Sequence, residues 1–362
     1  MRLELLLAAI GVGVCACAPS TEPDRTTDQT SVTEETKDPH WTFADGEVFP
    51  ADRTLQRPED GVVLSDGRLL IADRAHGLIA LSPDGSHRPF GNFAAAGYEY
   101  APPEKNAGPN GVAFEPDGKH VLVADVFTGA IYRVDVAAET TELIYTHDYG
   151  VNTVLADTTG AIWFTQSTEN NGPDSEERLF AAVDAPFADG ALFRLAPDRN
   201  GGTRAALKVD GLDFANGFVI DEDRGEIFVA ETVGGRINGF TVSFDTGEIT
   251  ERRLVVNILG PDNIEMDEGG QLWVASPIGN EVLLLDPETG AARSVFHPQS
   301  DESDALIAEW RRRSETGESL MQLMGPDMWG PMPGLITGVV LTPDGGPVYI
   351  SGLGDALLKL ER

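Results

Sequence analysis

Six times along this chain a polar residue is followed eight or nine positions later by a turn glycine and then by a short apolar strand. The six pairs are Glu59 with Gly67, Asn110 with Gly118, Asn152 with Gly160, Asn216 with Gly225, Asp262 with Gly270 and Thr337 with Gly345. Turns such as Ser65-Asp66-Gly67 and Pro116-Asp117-Gly118 carry tight-hairpin chemistry, in which glycine supplies the positive φ. The strands that follow, such as Leu69-Leu70-Ile71-Ala72 and Ile162-Trp163-Phe164-Thr165, run apolar. A unit of this kind must stack on its neighbours to bury its faces.

A third strand follows the second in each repeat, as in Gly129-Ala130-Ile131-Tyr132-Arg133-Val134. A fourth is legible in four of them, as in Arg293-Ser294-Val295-Phe296, and more vaguely near His87 to Phe93. Four antiparallel strands repeated six times predict an all-β fold, a six-bladed β-propeller over residues 41–362. The last repeat has only three strands of its own, ending in Ala356 to Leu360, so Trp41 to Phe49 is expected to close it and leave no open edge.

Two intervals carry insertions. Residues 167–189 are polar, with a short helix expected around Glu176 to Val183. Residues 300–333 hold an expected helix from Asp304 to Arg313, then Leu320-Met321-Gln322-Leu323-Met324 and Met328-Trp329-Gly330. Loops this long in a compact fold serve as lids or binding walls, which makes Trp329 a candidate substrate contact. Packing of the helix on the propeller flank is the alternative.

Residues 1–17 read as a signal peptide, because the apolar run Leu5 to Val14 behind Arg2 is too short to span a bilayer. Val14-Cys15-Ala16-Cys17 resembles a lipobox, which would make Cys17 the lipidated residue; a plain signal peptide cleaved nearby is the alternative. Export to the periplasm or cell surface follows, with the lipid anchor as the only membrane contact. Residues 18–40, rich in Ser, Thr, Asp, Glu and Pro, read as a flexible tether. Both cysteines of the chain lie in the leader, so the domain has no disulfide. With 26 basic and 59 acidic residues the net charge is −33, which argues against nucleic-acid binding.

The first strand of each propeller blade lines the central channel, so the six recurring polar residues should form a ring. Glu59, Asn152, Asn216 and Asp262 would present two carboxylates and two amide oxygens, hard donors suited to calcium, with coordination positions left open. No histidine or cysteine occupies a ring position, which disfavours zinc. The competing explanation is that Asn and Asp at strand starts satisfy local backbone groups. The chain lacks a His-Glu-x-x-His pair, a Gly-x-Ser-x-Gly nucleophile turn, a phosphate-binding glycine loop and a complete EF-hand. Asp221 to Gly225 reads as a hairpin turn, and His147 as either a residue at the channel mouth or a strand-end histidine.

Arg57-Pro58-Glu59-Asp60-Gly61, Gly108 to Phe114, Val151 to Val154, Phe214-Ala215-Asn216-Gly217 and Gly260 to Ile264 together resemble the calcium-dependent propellers of the gluconolactonase and senescence-marker-protein type. These are related to the paraoxonases and the strictosidine synthase-like proteins, and the two insertions look most like the latter branch. The resemblance implies that Glu59, Asn152, Asn216 and Asp262 are calcium ligands with Asn263 as a fifth, and that Asn110 faces the substrate; Thr337 of the same ring is a further candidate substrate contact. It also implies hydrolysis of a lactone or ester, with Asp262 taking a proton from the attacking water. Asn110 stands where paraoxonases have a histidine, and the last blade offers no glutamate to act as the base of a condensing synthase. Two other readings stay open: a calcium-stapled propeller that binds a ligand or protein without turnover, and a metal-free propeller whose ring hydrates the channel.

Overall fold

The computed structural model describes residues 41–184, 187–197, 203–298 and 300–362. The leader with Cys17 and the tether 18–40 lie outside the described residues. From Trp41 onward the chain forms six four-stranded antiparallel sheets, the six-bladed propeller expected from the repeat. All six turn glycines hold positive φ, between 64° and 84°. In blade 2 the strands are Pro109–Phe114, His120–Asp125, Ala130–Asp135 and Thr140–Thr146, and burial falls from the first to the last. The middle strands are covered on both faces by neighbouring blades, so they run apolar instead of alternating.

Blade 6 closes as anticipated. Gly46–Phe49 pairs antiparallel with Leu357–Leu360, Gly46 opposite Leu360 and Phe49 opposite Leu357. The segment before it does not continue that strand. Asp45 accepts hydrogen bonds from the backbone N–H and hydroxyl of Thr42, both at 2.8 Å, and the chain makes a turn there. Trp41 instead joins the edge of blade 5, donating to Val295 O at 2.9 Å and accepting from His297 N at 3.0 Å. The N-terminal segment therefore laces blade 5 to blade 6.

Both insertions are helical. Helix α1 spans Ser175–Asp184 and helix α2 spans Asp301–Thr316. The second is longer than the sequence suggested because Ser300 caps its N-terminus by accepting from Ser303 N, while Gly317, at φ 71°, supplies the left-handed C-terminal stop. Ser303, Ile307 and Trp310 form its buried face, the spacing of one helical stripe.

The innermost strands alternate around the axis. In blades 1, 3 and 5 they are only three residues long: Gly61–Val63, Val154–Ala156 and Ile264–Met266. In blades 2, 4 and 6 they begin earlier and carry a register shift at Asn110, Asn216 and Thr337, each followed by glycine. A Cβ on Gly111 would lie 2.7 Å from Thr153 Cα, one on Gly217 2.5 Å from Asn263 Cα, and one on Gly338 2.7 Å from Glu59 O. The three glycines thus permit close backbone contact at the axis between blades 2 and 3, 4 and 5, and 6 and 1. Gly217→Ala is expected to destabilise the fold by about 1–3 kcal/mol through overpacking against backbone; urea unfolding against the native protein checks this.

Candidate functional site

The loops that carry the ring are tied down by side chains at the ends of the second strands. Asp73 accepts from Gln56 N at 2.9 Å, Asp125 from Gly108 N at 3.1 Å and Glu231 from Asp213 N at 2.8 Å, while Ser276 donates to Leu259 O at 2.5 Å. Each of these fixes the approach to a ring residue in its blade. Glu231 is held in turn by Arg236 at 2.5 Å and Arg252 at 2.6 Å, so its buried charge is compensated.

All six ring residues come together. Glu59, Asn110, Asn152, Asn216, Asp262 and Thr337 are buried and line one cavity of about 250 Å3. Neighbouring groups orient the amides. Asn152 donates from Nδ2 to Ser167 Oγ at 2.9 Å, which turns Oδ1 toward Asn110 Nδ2 at 3.2 Å and Thr153 Oγ1 at 3.0 Å. Asn216 donates from Nδ2 to Thr232 Oγ1 at 3.0 Å, and that hydroxyl donates to Pro261 O at 2.8 Å. The arrangement leaves Asn216 Oδ1 and Asp262 Oδ1 buried without a hydrogen-bond partner among the described residues.

Carboxyl groups follow the axis inward from the ring. Burial, and then the charge of Glu59, push the Asp262 carboxyl well above the usual carboxylate range. Burial raises Glu59 as well, with the Arg57 charge opposing it. Deeper in the channel, burial raises Asp60 to about 7 although it accepts from Val112 N and Gly61 N, both at 2.8 Å. Glu265 is pushed well above its ordinary value by burial and by the charge of Asp60.

Sequence reasoning missed Arg57, Asp60 and Glu265. Asp60 directly follows a ring residue, a signal within reach; Arg57 precedes Glu59 by two residues in a loop, where nothing in the repeat marks it. Its backbone is left-handed at φ 56°. Its guanidinium stacks 4.9 Å from the Phe127 ring centroid, and donates from Nε to Glu59 Oε2 and from Nη2 to Asn110 Oδ1, both at 3.4 Å.

Two expected site residues are placed elsewhere. Trp329 does not line the cavity, because two short 3-10 turns, Met321–Leu323 and Pro326–Met328, carry the chain past the mouth. It packs beside Trp310, Leu323 and Met328, while Leu320 and Met324 of the same insertion form the wall. Asn263 lies behind the ring, with Oδ1 3.4 Å from Thr153 Oγ1, and is not part of the cavity wall. His147 is likewise off the wall, its Nε2 2.9 Å from Gln166 Oε1 and its ring against Phe193, with burial lowering its pKa. Asp221 to Gly225 is a hairpin turn in which Arg224 N donates to Asp221 Oδ1 at 3.0 Å.

Among the described residues no three His, Cys, Asp or Glu side chains gather as a metal cluster. The ring instead offers two carboxyl groups, three carboxamides and a hydroxyl, with an unpartnered oxygen on Asn216 and another on Asp262. Oxygen donors of this kind fit a hard cation such as calcium and not zinc.

The raised carboxyls bear on stability. Between the ordinary carboxylate range and their raised values the folded chain holds protons that the unfolded chain has lost, so stability falls as pH rises through that window. For Asp60 the window ends at about 7. In chelator, the melting temperature should fall from about pH 5 to about pH 7, and Glu265→Gln should make that slope shallower. An unchanged slope would show that Glu265 is ionised in the fold.

The fold and the ring define a six-bladed propeller with a carboxylate-bearing channel mouth. Residues 144–301 match the family model for the SMP-30/Gluconolactonase/LRE-like region. The chain is 32% identical to chicken (Gallus gallus) regucalcin over 105 residues, 28% of this chain and 34% of that protein. It is 27% identical to a gluconolactonase of Zymomonas mobilis over 204 residues, 51% of this chain and 53% of that one. It therefore spans about a third to a half of the length of these relatives. A gluconolactonase structure from Xanthomonas campestris superposes with a TM-score of 0.58 at 20% identity, covering 85% of this chain and 87% of that one. A luciferin-regenerating enzyme does so with 0.56 at 13% identity, covering 88% and 95%. The two structures show the shared fold.

Proposed function

We propose that this chain is a calcium-dependent hydrolase of a lactone or another carboxylic ester, acting at the ring. The observation that carries the reading is the pair of buried, unpartnered oxygens, Asn216 Oδ1 and Asp262 Oδ1, on the cavity that Glu59 also lines. The kinship with gluconolactonases supports it. Glu59, Asn152, Asn216 and Asp262 would hold the ion. Bound calcium would polarise the carbonyl oxygen and stabilise the charge that develops on it.

Asp262 acts as the general base. Its carboxyl lines the cavity with one oxygen unpartnered, placed to receive a proton there. It takes a proton from the water that attacks the carbonyl carbon; the acyl C–O bond then breaks, and the leaving alkoxide recovers the proton. Asn110, held by Asn152 and Arg57, and Thr337 position the substrate head. Apolar walls from both insertions exclude bulk water. Lipidation at Cys17 would hold the enzyme at an exported membrane face.

The test is turnover of a panel of lactones and aryl esters with calcium and then with chelator. The reading expects hydrolysis that chelator abolishes and that Asp262→Asn lowers by about 10²- to 10⁴-fold. A folded, calcium-loaded protein that turns over none of the panel would favour the ligand-binding propeller instead.

A further inference from the structure

The cavity has two chemically distinct parts. Its polar end is the ring with Arg57; the rest is apolar, formed by Leu179, Phe180 and Val183 of α1, Trp310 of α2, and Leu320 and Met324. The apolar part is preformed. The Asp184 carboxylate at the end of α1 accepts from Ser319 Oγ at 2.7 Å, Leu320 N at 2.5 Å and Met321 N at 2.8 Å, latching one insertion to the other. At the opposite end of α1, Glu176 accepts from Arg74 at 2.7 Å.

Arg57 is mostly buried in the cavity wall, yet its two hydrogen bonds are both 3.4 Å long. Three of its five N–H groups have no partner among the described residues. Stacking on Phe127 holds the guanidinium plane and leaves its edge for a ligand. The charges agree with an anion. With Glu59 and Asp262 ionised around a divalent cation, Arg57 would leave the site with one positive charge in excess. A left-handed non-glycine residue at this place is the kind of backbone outlier found at ligand-holding positions.

We infer that the cavity binds a small amphiphilic carboxylate, its head on Arg57 and its aliphatic body along the two helical insertions. The inference rests on the proposed function in naming the head group, since ester or lactone hydrolysis yields such an acid as product, and in counting a bound divalent cation. A polyhydroxylated acid fits poorly, since the apolar wall would leave its hydroxyls unpaired. At about 250 Å3 the cavity is smaller than the roughly 300–1,000 Å3 of sites for drug-sized ligands, which limits the body to a short or medium chain.

The test titrates the calcium-loaded protein calorimetrically with butyrate, hexanoate and octanoate, with hexanamide as the neutral isostere and gluconate as the polyol. Each added methylene should tighten binding by about fourfold until the cavity is full. Arg57→Gln should weaken hexanoate by about ten- to a hundredfold, the worth of a charge-assisted contact, with little change for hexanamide. Arg57→Lys should recover part of the loss. Equal weakening of hexanoate and hexanamide would reduce Arg57 to a structural role and overturn the inference; so would affinity indifferent to chain length, or gluconate binding best. Arg57-dependent hexanoate binding without turnover of any ester would leave this inference standing and remove the hydrolase, whereas turnover without hexanoate binding would do the reverse.

Discussion

The structure depends on the close approach of neighbouring inner strands at the propeller axis. Gly111, Gly217 and Gly338 let the backbones of blades 2, 4 and 6 touch those of blades 3, 5 and 1, and hydrogen bonds such as Gly111 N to Asn152 O at 2.9 Å and Gly352 N to Pro58 O at 2.9 Å cross two of these gaps. Each glycine directly follows a ring residue. The packing that closes the propeller therefore also sets the spacing of the polar side chains at the channel mouth, and a rigid scaffold holds them there.

That geometry creates an electrostatic problem. Glu59, Asp60, Asp262 and Glu265 share a narrow, poorly solvated axis, and burial raises all four. Arg57 compensates part of the charge at the mouth, and the unpartnered oxygens on Asn216 and Asp262 are unmet demand for a positive group. Buried polar atoms are rarely left unpaired in folded proteins, so orphans at adjacent ring positions indicate a ligand. The same polar end opens onto apolar helices, which gives the cavity a head and a tail.

The propeller was legible because its repeat is local: a turn glycine, an apolar strand and a fixed eight- or nine-residue spacing recur six times. The ring followed from that register, and the structure gathers Glu59, Asn110, Asn152, Asn216, Asp262 and Thr337 as the pattern implied. What escaped depends on tertiary direction. Arg57 enters the site from a left-handed loop position outside the repeat, and Trp329 leaves it because the chain turns twice beside it. The alternation between blades was visible as Asn110-Gly111, Asn216-Gly217 and Thr337-Gly338 against Glu59-Asp60, Asn152-Thr153 and Asp262-Asn263. Its meaning appears only when each glycine is seen against the backbone of the next blade.

The central claim is that the ring is a hard-cation site. Anomalous diffraction from crystals grown with a lanthanide in place of calcium tests it most directly. The account predicts one strong peak among the oxygens of Glu59, Asn152, Asn216 and Asp262. Peaks confined to surface carboxylates, with none at the channel mouth, would contradict it.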